Sequence, residues 1–340
     1  MKNMRFSALC VSVWWLASLF VMPAHTASAA ATSATKNAKS AATANRTPAK
    51  KALPRPGIAK DPYIGAVAID AATGRVLWED KADARGYPAS MLKLMDLFLI
   101  LEKLSQKQLA LGDAVPVSAR AANTGGSQVW LKEKEVFTVE EMLYALMIQS
   151  ANDVAVALAE KVAGSSEAFV ELMNKRAREL GMASTRFQSA HGLPPSVGQQ
   201  HDVSTARDFA ILCRALLARH PEALRYTSAR ERTFRPGAAQ GAVIMRTHNH
   251  LLNSVEGCDG LKTGYFSQAG FSVAATASRG GRRVIAVVLG SADRKVRDAR
   301  AAEILAKGFA ALPTQTAAAT GSGAGGLPVG GTAGPVSGAR

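Results

Sequence analysis

Apolar and β-branched residues gather in two pairs of short runs, one near each end of a central stretch in which they recur at helical spacing. Residues 63–70 and 75–79 flank Ala71-Ala72-Thr73-Gly74, which predicts a hairpin. Residues 271–279 and 283–289 flank Gly280-Gly281 and predict a second one, with alternation weak enough to imply a sheet covered on both faces. Between them, Thr138-Val139-Glu140-Glu141 reads as a capping box, in which hydroxyl and carboxylate each satisfy a free backbone N–H. It opens a helix running to about Gln149, with Met142, Leu143, Leu146 and Met147 on one buried face. Further helices are predicted over residues 154–162, 166–180 (stopped by Gly181), 205–218 and 294–310. Strand pairs at both ends with helices between them predict an α+β fold whose sheet is drawn from both ends of the chain.

The flanks read differently. Lys2 and Arg5 precede an apolar run over residues 6–21 and small residues up to Ala27-Ser28-Ala29, the pattern of a signal peptide spanning residues 1–29. Export to the periplasm or cell envelope is the consequence, with a retained membrane anchor as the alternative. Residues 30–58 hold Ala, Thr, Ser, Lys and Pro with scarcely a large apolar side chain, so a flexible basic linker is expected there. Residues 313–340 are Gly/Ala-rich and read as a disordered tail. One compact domain over residues 59–312 remains between them.

Charge changes this picture little. The 340 residues carry a formal net charge of +15. Much of it lies in the linker, where no aromatic residue interleaves for base stacking, so no nucleic-acid partner is expected. At most, the linker makes peripheral contact with an anionic membrane or envelope polymer. Beyond the leader, only Cys213 and Cys258 are left, too few for a disulfide framework or a zinc site. Free thiols are expected; a single bridge between them is the alternative.

Three short motifs bring in chemistry. In Ser90-Met91-Leu92-Lys93, nucleophile and base stand three residues apart at the start of a helical run, so both share one face. A desolvated Lys93 loses basicity until its neutral amine can take the serine proton. Ser150-Ala151-Asn152 falls between two predicted helices, where Ser150 could relay a proton between Lys93 and a leaving amine. The Asn152 amide offers a donor and an acceptor to a substrate peptide bond. Lys262-Thr263-Gly264, placed just before the second hairpin, joins a cation and a hydroxyl fit for a terminal carboxylate to a glycine that allows close backbone approach. Each motif alone is common by chance, and Ser90 or Ser150 alone would read as a helix cap.

Taken in this order, the set resembles the S-x-x-K, S-x-N and K-T-G motifs of penicillin-binding proteins and serine β-lactamases. With Ile148-Gln149-Ser150-Ala151-Asn152-Asp153 and Asp259-Gly260-Leu261-Lys262-Thr263-Gly264, it is most similar to the D-alanyl-D-alanine carboxypeptidase family of low-molecular-mass penicillin-binding proteins. The resemblance implies a transpeptidase-like fold, an antiparallel sheet flanked by helices plus a helical subdomain. It implies Ser90 as acylated nucleophile, Lys93 as base, and Ser150 and Asn152 as partners in the cleft. Lys262, Thr263, Gly264 and Tyr265 would bind substrate, with backbone N–H groups of Ser90 and Tyr265 as oxyanion hole. Peptidoglycan stem peptides would be the substrate, β-lactam antibiotics covalent inhibitors, and no cofactor or metal is called for. Leu92 and Ala151 depart from the usual family residues at positions that carry no chemistry. Passage into a Gly/Ala-rich tail soon after Leu312 resembles the shorter endopeptidases of the family, which cut peptidoglycan cross-links, and keeps that activity open as an alternative. A β-lactamase lacks support because no E-x-x-L-N string occurs; an inactive muropeptide-binding module is the remaining alternative.

Overall fold

The computed structural model describes residues 60–237 and 241–313, so the leader, the linker and all but the first residue of the tail proposed above lie outside the described residues. The first hairpin is β1 (Gly65–Asp70) with β2 (Val76–Asp80). A 3-10 turn, Ala89–Leu92, then leads into α1 (Lys93–Ser105). A helical region follows: the strand pair β3 (Ala114–Pro116) and β4 (Val136–Thr138) with α2 (Ala119–Ala122) between them, then α3 (Val139–Tyr144), α4 (Asn152–Ala163) and α5 (Ser166–Glu179). After α6 (Ala206–Arg219) and α7 (Ala223–Thr227) come a second small pair, β5 (Glu231–Phe234) with β6 (Val243–Arg246), and α8 (Leu251–Ser254). The chain closes with β7 (Cys258–Phe266), β8 (Gly270–Arg279), β9 (Arg282–Ser291) and α9 (Arg294–Ala311).

The main sheet has five strands in the order β2-β1-β9-β8-β7, all antiparallel, so both ends of the chain contribute as expected. Its two faces are both buried. Ala66, Ala68, Ala275, Ala277 and Ala286 point to α9, whereas Val67, Ile69, Ile285, Val287 and Leu289 point to the helical core. Successive residues go to opposite faces, and because both faces are buried and apolar the period of two leaves little alternation in polarity. Small residues let α9 sit close: a Cβ on its Gly308 would come within 2.7 Å of the Val284 side chain.

On the other face, α1 is the centre of the larger core, with every residue from Lys93 to Leu101 buried. A helix apolar all round has no solvent face, and Lys93 at its head is drawn into that environment. The capping box forms as predicted, Thr138 N–H donating to Glu141 at 2.9 Å and Glu141 N–H to the Thr138 hydroxyl at 3.3 Å. Beyond α3 the helix widens into a π-helical turn, Ala145–Gln149, and ends at Ser150 in the left-handed region (φ 61°).

One placement differs from the sequence reading. Lys262-Thr263-Gly264 precedes the β8–β9 hairpin as expected but is itself part of the sheet, inside the edge strand β7, where Lys262 pairs with Ala274 and Gly264 with Ser272. Two glycines and a lysine depress local strand propensity, and pairing with β8 overrides it. Cys213 and Cys258 are both free thiols.

Candidate active site

Ser90 sits on a turn that other segments press against. Ala89 has φ 48°, the left-handed region, and Ser90 follows it into α1. A Cβ on Gly192 would lie 2.4 Å from the Ala89 carbonyl oxygen, and one on Gly264 would lie 2.3 Å from that of Pro88. Backbone from two remote segments thus packs on the Ser90 turn at distances that only glycine allows.

Lys93 is wholly buried, and its Nζ lies 3.0 Å from Ser90 Oγ, 2.7 Å from Asn152 Oδ1 and 2.6 Å from the His191 carbonyl oxygen. An ammonium donates to all three. A neutral amine keeps two donors for the stronger acceptors, Asn152 and His191, and turns its lone pair to the Ser90 hydroxyl. Burial pulls the Lys93 pKa down to about 8, against the opposing pull of the carboxyls of Asp96, Asp202 and Asp153.

Asn152 is fixed from three sides. Its backbone N–H donates to Ser127 O at 2.7 Å and its Nδ2 to Gly125 O at 2.8 Å, while Oδ1 receives Lys93. The amide foreseen as a substrate ligand is therefore engaged inside the protein, orienting the base. Next to it, the buried carboxylate of Asp153 accepts the N–H groups of Val129 (3.2 Å), Leu131 (3.0 Å) and Val154 (2.9 Å). That cradle ties the 125–131 loop to the start of α4.

The second serine faces a different cation from the one expected. Ser150 Oγ accepts from Lys262 Nζ at 2.9 Å, and no Lys93–Ser150 hydrogen bond forms. Lys262 also donates to the Thr263 carbonyl at 3.0 Å and is buried. Its pKa falls well below the usual lysine range, first through desolvation and then through the cations Lys93 and Arg297. Thr263 is buried beside it, and Tyr265 is exposed and stacked on Phe271 with ring centroids 4.1 Å apart. All eight residues foreseen for the site thus come from the serine turn, the end of the π-turn with the start of α4, and the edge strand.

Three contributors were not foreseen. The carbonyl of His191 leaves no mark in a sequence because it is backbone; the ring itself accepts the Leu193 N–H at 3.1 Å, and burial pushes its pKa down to about 4. Asp202 holds that segment through the N–H groups of Gln188 (2.6 Å) and Ser189 (3.0 Å). Asp96, one turn beyond Lys93 on α1, is buried with both carboxyl oxygens unpartnered, and desolvation lifts its pKa well above the usual carboxylate range. The three-residue spacing was a usable signal for Asp96. Among the described residues, no group of three or more His, Cys, Asp or Glu side chains is placed to hold a metal ion.

A five-stranded antiparallel sheet between helices, with a Ser-x-x-Lys turn facing an edge-strand Lys-Thr-Gly, is the framework of the penicillin-binding, transpeptidase-like class. Within it, the chain belongs to the D-alanyl-D-alanine carboxypeptidase family, whose model matches residues 59–293. It is 38% identical over 249 residues to D-alanyl-D-alanine carboxypeptidase DacF of Bacillus subtilis, covering 73% of this chain and 62% of that one. Identity to DacC of Escherichia coli is 37% over 257 residues, covering 74% and 62%. The chain thus spans less than two thirds of the length of these relatives. Among solved structures, penicillin-binding protein D2 of Listeria monocytogenes in its ampicillin-bound form is similar at a TM-score of 0.65 and 33% identity, covering 73% of this chain and 97% of that one.

Proposed function

We propose that this protein is a serine DD-carboxypeptidase that removes the terminal D-alanine from peptidoglycan stem peptides through an acyl-enzyme on Ser90. The observation that carries the reading is the buried Lys93 amine, 3.0 Å from Ser90 Oγ with its other two bonds directed at Asn152 and His191. Neutral Lys93 takes the hydroxyl proton as Ser90 Oγ attacks the carbonyl of the penultimate residue. The backbone N–H groups of Ser90 and Tyr265 take the developing oxyanion. Lys262, with Thr263, binds the C-terminal carboxylate, while Gly264 leaves room for the substrate backbone. The Lys262–Ser150 bond (2.9 Å) makes Ser150 the proton donor to the leaving amine, with Lys262 behind it. D-Alanine departs as the C–N bond breaks; water then attacks the ester, its proton passing through Ser150 to restore Lys262 while Lys93 returns its own proton to the departing Ser90 Oγ.

β-Lactams would acylate the same serine, as the ampicillin-bound relative suggests. The carboxypeptidase reading is preferred to a cross-link endopeptidase because the relatives in hand bear that name. The basic leader with its apolar run supports action outside the cytoplasmic membrane, and N-terminal sequencing of the mature protein tests cleavage after Ala29. Activity is tested by intact mass after benzylpenicillin, beside Ser90→Ala, followed by digestion of pentapeptide muropeptides. A long-lived adduct that needs Ser90, with loss of one alanine from the muropeptide, is expected. Equal labelling of the Ser90 variant would overturn the assignment.

A further inference from the structure

Seven non-glycine residues have a left-handed backbone among the described residues, and four of them fall at two places. Ala89 and Ser150 belong to the active site. Trp130 (φ 55°) and Arg235 (φ 55°) belong to each other: the guanidinium donates to Trp130 O at 3.1 Å and to Val129 O at 2.8 Å. It also pairs with Glu135 at 2.5 Å and lies over the neighbouring rings of Phe137 and Phe234, with centroids 5.1 and 4.9 Å away. From the other side, the Asp153 carboxylate takes the N–H groups of both neighbours of Trp130. The buried Asp153 carboxylate and the partly buried Arg235 guanidinium thus hold one residue in a conformation unfavourable to it, and strain kept this way concentrates at functional positions.

What this arrangement presents is an indole left 60% exposed, while Val129 and Leu131 on either side are buried. Beside it runs a groove of about 420 Å³ lined by Trp130, Lys132, Glu135, Arg235, Val243 and Ile244, the last also 56% exposed. An aromatic face with an aliphatic neighbour and a charged rim suits a ligand having one apolar face and a hydrogen-bonding edge. A pyranose ring has both, and an acetamido methyl fits against Ile244.

Position adds to this. Ser127 accepts the Asn152 N–H, and Trp130 follows three residues later, so its Cα lies within about 11 Å of that of Ser127. In a peptidoglycan stem, four residues separate the scissile bond from the sugar and span about 14 Å when extended. The loop that carries Trp130 thus also anchors Asn152, a neighbour of Lys93 and Ser90, and the stem's reach is the length over which one ligand would have to bridge the serine and the groove.

We propose that the Trp130 groove is a subsite for the glycan, binding an N-acetylated hexosamine of the strand that carries the stem peptide. The inference rests on the peptidase reading above. It makes Trp130 a specificity residue, selecting sugar-bearing over free peptides.

The test uses the full chain after maturation, its Trp130→Ala and Trp130→Phe variants, and two substrates, the stem pentapeptide with and without its disaccharide. The wild-type protein should prefer the sugar-bearing form. That ratio of kcat/KM should fall about tenfold in Trp130→Ala, the equivalent of one lost aromatic contact, and recover partly in Trp130→Phe. Calorimetric titration with chitotetraose, which needs no catalysis, should show binding that the Ala variant loses. No chitotetraose binding together with equal turnover of both substrates by the wild type overturns the proposal. So does an equal loss on both substrates in Trp130→Ala, which would assign the indole to the peptide cleft, or a Trp130-dependent dimer in sedimentation. If the wild type neither reacts with benzylpenicillin nor cleaves either peptide, the peptidase reading fails, and the titration still judges the groove.

Discussion

Asp96→Asn should stabilise the fold by an amount that grows with pH. The carboxyl is buried, has no hydrogen-bond partner on either oxygen, and has a pKa lifted well above its ordinary value, chiefly by desolvation. Its folded pKa exceeds the unfolded one, so the unfolded chain gives up this proton first. The group is harmless below the unfolded carboxyl range, and its cost mounts as pH rises from there to the folded pKa. Over that window the difference between the proteins should widen by about 1.4 kcal/mol per pH unit, since an amide cannot ionise. Lys93 titrates in both proteins, and most of its contribution cancels in the difference. Urea unfolding at half-unit steps from pH 4.5 to 8 reads this directly, with unchanged m-values as the check that only stability has moved. At the acid end the two proteins should nearly coincide, because Asn is close in shape to the protonated acid. A flat difference, or a variant that loses ground as pH rises, would refute the claim that Asp96 is held protonated.

With the Lys93 pKa drawn down to about 8, acylation by benzylpenicillin should rise with pH through that region and then level, the amine being active when deprotonated; a rate independent of pH between 6 and 9 contradicts Lys93 as base. Gly264→Ala places a Cβ 2.3 Å from the Pro88 carbonyl, so stability should drop by about 1–3 kcal/mol, read as a shift in Tm, and acylation should slow as the Ser90 turn is displaced. Lys262→Ala removes a charge-assisted carboxylate contact and should lower kcat/KM on the pentapeptide by about 10–100-fold while leaving the Ser90 turn intact. Asp153→Ala strands three buried N–H groups at 2.9–3.2 Å and should cost about 2–4 kcal/mol by chemical denaturation.

The parts of the fold governed by local rules could be read in the residues. The capping box at Thr138, the Gly280-Gly281 hairpin and the helices that became α4, α5, α6 and α9 form close to where their patterns place them. Weak alternation over residues 271–289 is informative because both faces of the sheet are buried and apolar. What escaped was set by tertiary context. Lys262-Thr263-Gly264 carries weak strand signals and becomes a strand only through β8. Ser150 was assigned to Lys93, yet a left-handed turn at the end of a π-helical segment aims its hydroxyl at Lys262 instead. Nothing local announces that turn. The His191 carbonyl and the close approach of Gly192 are backbone features, which residue types do not record.

Burial of Lys93 ties chemistry to folding. The amine and its serine are three residues apart, but the burial that lowers its basicity needs the folded core, and the acceptors that orient it, Asn152 and His191, stand fifty-nine and ninety-eight positions further along the chain. In an unfolded or half-formed chain the same Ser-x-x-Lys segment is an ordinary alcohol beside an ordinary ammonium. Reactivity toward an acylating drug therefore switches on only when contacts of long sequence separation close, which are slow to form. A covalent β-lactam probe added during refolding would count completed molecules, ignoring those whose helices and hairpins are present but not yet docked.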